Sequence, residues 1–279
     1  MTGLAIGHLR VDGATLRYEV RGKGPLLLLI PGGTGGAASF DGVADALATD
    51  YTVASYDPRG LSRSPLDDPE APQRVEQHAG DALRLLELLS PDAPARMAAC
   101  SSGAIAALHL LTTRPERIAR VVAHEPPLVE VLPDAAEQRA MLARVQDTFR
   151  REGLMPAAAV FAAGMRRPGA DPVDVKAATE LPPQAAARVE RTMADMPYFL
   201  GRIVPSFMAY TPDVDRLEAL SDRLVLAAGA DSQGELPYRP AAFLAERFGM
   251  ELVHFPGGHT GLSTHPDEFG ELLREVLSA

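Results

Sequence analysis

The chain reads as an α/β protein with a mostly parallel central sheet, helices on both faces of that sheet, and a helical cap inserted late in it. Three observations predict this. Short apolar runs closed by glycine, proline or an acidic residue alternate with stretches of helical period. The run Leu26–Ile30 is apolar at every position, as a strand covered on both faces must be. From about 128 to 215 the strand signal stops while helical spacing continues.

The elements follow in order. "HLRV", Asp12-Gly13 and "ATLRYEV" alternate about a tight-turn dipeptide and read as a β-hairpin. "PLLLLIPGG", "YTVASYD" (51–57), "ARMAACS" (95–101), "RIARVVAHE" (117–125), "DRLVLAAG" (222–229) and "MELVHFPG" (250–257) read as sheet strands. Helices fall between them, at about 37–49, 72–90, 102–114, 238–248 and 266–278. The middle segments "DAAEQRAMLARVQDTFRREG", "PAAAVFAAGMRR" and "PPQAAARVERTMADM" are helical and broken by prolines. Residues 1–127 and 216–279 are therefore expected to form the core domain, with 128–215 as a cap inserted after the sixth sheet segment. Most of the cap's Met and Phe side chains serve its own core. A few are expected to face down onto an apolar pocket.

Composition bounds the function. The 279 residues are 46% hydrophobic and carry a net charge of −10. That charge argues against nucleic acid and anionic membrane as partners. One cysteine makes neither an internal disulfide nor a thiolate metal site. The N-terminus shows no signal-peptide pattern, and the longest apolar run is too short to span a bilayer. The expected location is cytoplasmic, a homodimer is compatible with the sequence, and no cofactor is expected.

"ACSSG", residues 99–103, carries the chemistry. A strand that turns abruptly into a helix needs small residues two before and two after the turn residue, whose side chain is then exposed in a strained conformation. The register places Ser101 at that turn. Cys100 points away from the tip and reads as a small hydrophobe. A serine hydroxyl needs a base. Among seven histidines, His259 stands in "FPGGHTGL", just after the last strand. His8 and His78 read as surface residues, His109 and His254 as packing. "IPGGTGGAASF" follows the third strand, where backbone N–H groups can face a developing oxyanion; Gly33 and Ser102 are the expected donors. This loop lacks the Gly-Lys-Ser/Thr ending of a phosphate loop and the GxGxxG spacing of a dinucleotide loop. Two carboxylates compete to orient His259. Asp231 follows one strand and Glu125 ends another, both at the carboxyl edge of the sheet, so position alone does not choose between them.

Strand order, elbow, glycine loop and late histidine resemble the α/β-hydrolase family over essentially the whole chain. "CSSGA" (100–104), "PERI" (115–118), "HEPP" (124–127) and "HPDEF" (265–269) are similar to the zearalenone lactonases. This resemblance implies Glu125 as the acid, Ser101 as nucleophile, His259 as base, and Gly33 with Ser102 as oxyanion donors. It also implies that Asp57 and Arg59 of "YDPRGLSRSP" brace a loop. The sequence departs from the lactonases where substrate is read. They use a cap tryptophan, whereas this chain has no Trp, and its His-Glu continues as Pro-Pro rather than Leu-Pro. The stretch "MPYFLGRIVPSF" offers Tyr198, Phe199, Leu200 and Phe207 as pocket residues instead.

The expected function is a serine hydrolase acting on a small, apolar carboxylic ester or lactone. The rivals are a carbon–carbon bond hydrolase or cofactor-free perhydrolase on the same scaffold, and a ligand receptor that turns over slowly.

Overall fold

The computed structural model describes residues 3–167 and 183–278. Its strands are β1 (Ala5–Val11), β2 (Ala14–Gly22), β3 (Leu26–Ile30), β4 (Thr52–Tyr56), β5 (Ala95–Cys100), β6 (Ile118–His124), β7 (Leu224–Gly229) and β8 (Val253–Phe255). They form one sheet in the order β1-β2-β4-β3-β5-β6-β7-β8. The β1–β2 hairpin is antiparallel and joins β4 antiparallel; every pairing from β4 to β8 is parallel.

The unbroken apolar run in β3 is explained by its two neighbours. Leu26, Leu28 and Ile30 join one core, with α2 (Val75–Leu89) and α3 (Ser101–Thr113). Leu27 and Leu29 join the other, with α1 (Asp41–Leu47) and the C-terminal helix through Phe269, Leu273 and Leu277. Successive side chains point to opposite faces, so a strand covered on both sides must be apolar throughout. His78 corrects the surface expectation. It shares a face of α2 with Val75, Ala82 and Leu85 and is buried, its ring edge-on to Phe207.

Between β6 and β7 no strand occurs among the described residues. This stretch contains α4 (Ala135–Glu152), α5 (Leu154–Met165), α6 (Pro183–Tyr198), α7 (Val204–Phe207) and α8 (Val214–Glu218). Met141, Leu142, Val145 and Ala157 form a small separate core with Leu200, Val204 and Met208, which Leu236 from the loop after β7 joins. Polar contacts tie this segment to the loop after β4 and to the helix at Tyr238–Phe248. Asp195 accepts from the Ser62 N–H at 2.8 Å, the Tyr198 hydroxyl donates to the Arg59 carbonyl at 3.3 Å, and Arg239 donates to Asp134 at 2.6 Å. Residues 168–182 of the expected cap lie outside the described residues. The chain closes with α9 (Tyr238–Phe248), α10 (Gly261–Thr264) and α11 (Pro266–Ser278). No described helix is long and apolar enough to cross a membrane.

The β5–α3 joint is built by close backbone approach. A Cβ on Gly103 would lie 2.3 Å from the Pro31 carbonyl oxygen, and one on Gly32 would lie 2.4 Å from that of Cys100. Neither neighbour is a flexible side-chain tip, so the backbone itself would have to move. Gly103→Ala is expected to cost about 2–3 kcal/mol and to lower Tm by roughly 5–10 °C in a thermal melt. A melt unchanged from wild type would show that the joint is looser than this.

Candidate active site

Three loops at the carboxyl edge of the sheet converge. β5 ends at Cys100 and α3 begins at Ser101, which is held at φ 52°. β6 ends at His124, and the next residue, Glu125, is held at φ 48°. Positive φ is costly for both side chains and occurs in only one other described non-glycine residue, Ser62. The Glu125 N–H donates to the Ala227 carbonyl at 2.9 Å, which locks this turn against β7. The loop after β8 carries His259.

The carboxylate of Glu125 is fully buried and hydrogen-bonded at both oxygens. Its Oε2 lies 2.5 Å from His259 Nδ1. Its Oε1 accepts from the Gly229 N–H at 2.9 Å and from the Ser232 hydroxyl. Burial pushes its pKa up, but the His259 hydrogen bond, the neighbouring imidazoles and the Ser232 hydroxyl together hold it below the usual value. Asp231 is placed differently. Its side chain is exposed, and no hydrogen bond joins it to His259 among the described residues. The loop after β7 therefore sends a serine, not an acid, toward the histidine's partner.

Ser101 and His259 line one cavity of about 610 Å³, together with the glycine loop at Gly32–Gly36 and with Phe161, Met165, Met196 and Phe199. Gly33, at φ 59°, donates its N–H to the Ser102 hydroxyl at 3.0 Å, so this expected oxyanion donor is engaged within the protein. The glycine loop is anchored by Asp57, whose carboxylate accepts from the Ala37 N–H at 2.8 Å and from Arg63 Nε at 2.7 Å. Arg59 instead pairs with Asp81, at 2.6 and 2.7 Å, holding the loop after β4 onto α2. Cys100 packs against the core beneath the elbow, as a small hydrophobe would, and is half-buried where it borders the cavity. Burial and the Glu125 charge push its thiol up to about 12, which leaves it a poor nucleophile.

The four expected pocket residues divide. Phe199 lines the cavity; Tyr198, Leu200 and Phe207 do not. Tyr198 lies against the loop at Arg59 and Gly60, Leu200 is buried in the core of α4 and α5, and Phe207 is buried against His78. The physical reason is helical rotation: at about 3.6 residues per turn successive side chains point roughly 100° apart, so Tyr198, Phe199 and Leu200 face three different surroundings where α6 runs into a π-helical turn at Phe199–Ile203. Phe161, Met165 and Met196 carried the helical spacing of ordinary core residues. Sequence reading also passed over Ser232 and Glu235. Glu235 lines the cavity, and burial followed by the Glu125 charge raises its pKa. Their only signal was a place in the loop after β7.

Comparison with known proteins agrees with this architecture. A family model described as alpha/beta hydrolase fold matches residues 25–266. The uncharacterized hydrolase YraK of Bacillus subtilis is 34% identical over 278 residues, covering 97% of this chain and 95% of its own. A zearalenone hydrolase of Cladophialophora bantiana is 27% identical over 273 residues, covering 96% and 94%. A thermophilic esterase from Thermogutta terrifontis superposes with a TM-score of 0.72 at 19% identity, covering 95% and 93%.

His124, next to Glu125, is buried between Phe255 and Phe269, and neither ring nitrogen has a partner among the described residues. Burial lowers its pKa to about 4. The unfolded chain takes up this proton near the ordinary histidine value, so stability falls as pH drops from that value toward 4. His124→Phe should remove this loss. Between pH 7.5 and 5 the variant should lose less unfolding free energy than wild type, by on the order of 2 kcal/mol in urea titrations. Equal losses in the two proteins would mean that His124 is charged in the fold.

Proposed function

Because the chain belongs to the alpha/beta hydrolase family, we propose that it is a serine hydrolase that cleaves a carboxylic ester or lactone through Ser101, His259 and Glu125. The observation that carries this reading is the 2.5 Å contact between His259 Nδ1 and a fully buried Glu125, at the edge of the cavity that holds Ser101. A carboxylate on Nδ1 fixes the proton there and leaves Nε2 as the basic nitrogen.

The mechanism follows from these positions. His259 Nε2 removes the Ser101 proton as Oγ attacks the substrate carbonyl. Glu125 stabilises the imidazolium that forms. The N–H groups of Gly33 and Ser102 stabilise the tetrahedral oxyanion, which takes the place held by the Ser102 hydroxyl on Gly33. Collapse breaks the bond to the leaving oxygen, which takes the proton from His259, and leaves an acyl-enzyme. Water, deprotonated by His259, then attacks the acyl carbonyl and frees the acid and Ser101.

Residues 1–127 and 216–279 act as the catalytic core and 128–215 as a cap over it. An apolar, drug-sized substrate is supported by the cap's Phe161, Met165, Met196 and Phe199, which line the cavity beside the charged Arg166, Arg191 and Glu235. Phe161 and Phe199 stand edge to face at 5.8 Å and supply aromatic surface in a chain without tryptophan. The relative named a zearalenone hydrolase makes aryl lactones the first substrates to try.

A fluorophosphonate probe should add once, on the peptide bearing Ser101, and not to Ser101→Ala. An adduct that persists in that variant, or one on Cys100, overturns the assignment. With an ester substrate, Glu125→Gln should lower kcat by roughly 1,000- to 10,000-fold, and Asp231→Asn should change it by less than about threefold. The reverse order would move the acid to Asp231.

A further inference from the structure

The loop after β7 holds a serine turned inward where the neighbouring aspartate faces solvent. Ser232 is 1% exposed, at the end of the short turn Ala230–Ser232. Its Oγ is in hydrogen-bond reach of Glu125 Oε1 and, at 3.0 Å, of the Gly229 carbonyl. The hydroxyl has one proton for two acceptors. An ionised carboxylate is the stronger acceptor, so the proton goes to Glu125. With the Gly229 N–H, this gives Oε1 two donors, while Oε2 faces His259.

The same turn also touches the histidine loop. The Asp231 N–H donates to the Gly257 carbonyl at 2.9 Å, and a Cβ on Gly229 would sit 2.6 Å from Gly258. The position of Ser232 is thus fixed relative to both Glu125 and the loop that carries His259.

We propose that Ser232 is a positioning residue: its hydroxyl holds the Glu125 carboxylate in the orientation that aims Oε2 at His259 Nδ1. The proposal rests on the reading of Glu125 as the acid of the site. The titratable groups that face Glu125 are His259, His124 and Cys100, with Glu235 across the cavity. None of these reaches Oε1, so no charged group substitutes for the hydroxyl.

The hydroxyl also sets proton affinity. It stabilises the state with a bare carboxylate and a neutral imidazole more than the state in which the imidazolium already balances that charge. Removing it should therefore shift the acid limb of activity to higher pH. A merely structural serine would leave that limb in place.

The test is a double-mutant cycle read on an ester substrate and on the rate of fluorophosphonate labelling. Ser232→Ala should lower kcat/KM roughly tenfold, the scale of one lost hydrogen bond to a charged group, and shift the acid limb upward. Ser232→Cys, a weak donor of nearly the same size, should fall between. In the Glu125→Gln background, Ser232→Ala should change either rate by less than about twofold, because the carboxylate it serves is gone. Equal losses in both backgrounds, or a wild-type pH profile in Ser232→Ala, would overturn the role. If Glu125→Gln alone kept wild-type activity, the assignment of the acid would fall, and this proposal with it. Thermal melts of each variant separate these results from misfolding.

Discussion

A carboxylate sealed from water must be neutral or fully hydrogen-bonded, because an unpaired buried charge costs several kcal/mol. Glu125 is at this limit, with no solvent exposure and contacts from three different loops or strand ends. The Gly229 N–H comes from the end of β7, the Ser232 hydroxyl from the turn after it, and His259 from the loop beyond β8. Each donor is on an element held by the parallel sheet. Loss of the sheet's register would leave the charge without partners. The charge in turn holds these loops together.

The backbone shows the same constraint. Ser101 and Glu125 end adjacent strands, β5 and β6, and both adopt positive φ. Each turn lifts a polar side chain off the end of a strand toward the loops at the sheet edge, where a continued strand would point it into one face of the sheet. Strain of this kind persists only when surrounding contacts over-determine it. The tight fit at Gly103 against Pro31, and the Glu125 N–H bond to Ala227, are those contacts.

The fold was largely readable, because strands buried on both faces and amphipathic helices leave clear periodicities. Leu26–Ile30 and the helix at 238–248 are examples. The elbow at Ser101 was readable from small residues at fixed spacing. The pocket was not. Tyr198, Leu200 and Phe207 look as able to face a ligand as Phe199, and only the rotation of successive side chains around the helical backbone separates them. His78 misled because helical face, not polarity, decides its burial. Ser232 and Glu235 left no periodic signal, since their roles depend on a loop's path across the sheet edge. The choice between Glu125 and Asp231 was open from position. Geometry separates them by burial and by the single contact to His259.

The direct test of the central interaction is the proton between His259 and its carboxylate. A short imidazole–carboxylate hydrogen bond shields its Nδ1 proton from exchange and moves it far downfield in a one-dimensional proton NMR spectrum in water. The spectrum should show one such resonance in wild type and in Asp231→Asn, and none in Glu125→Gln. A resonance that survives in Glu125→Gln and disappears in Asp231→Asn would contradict the account and return the acid to the loop after β7.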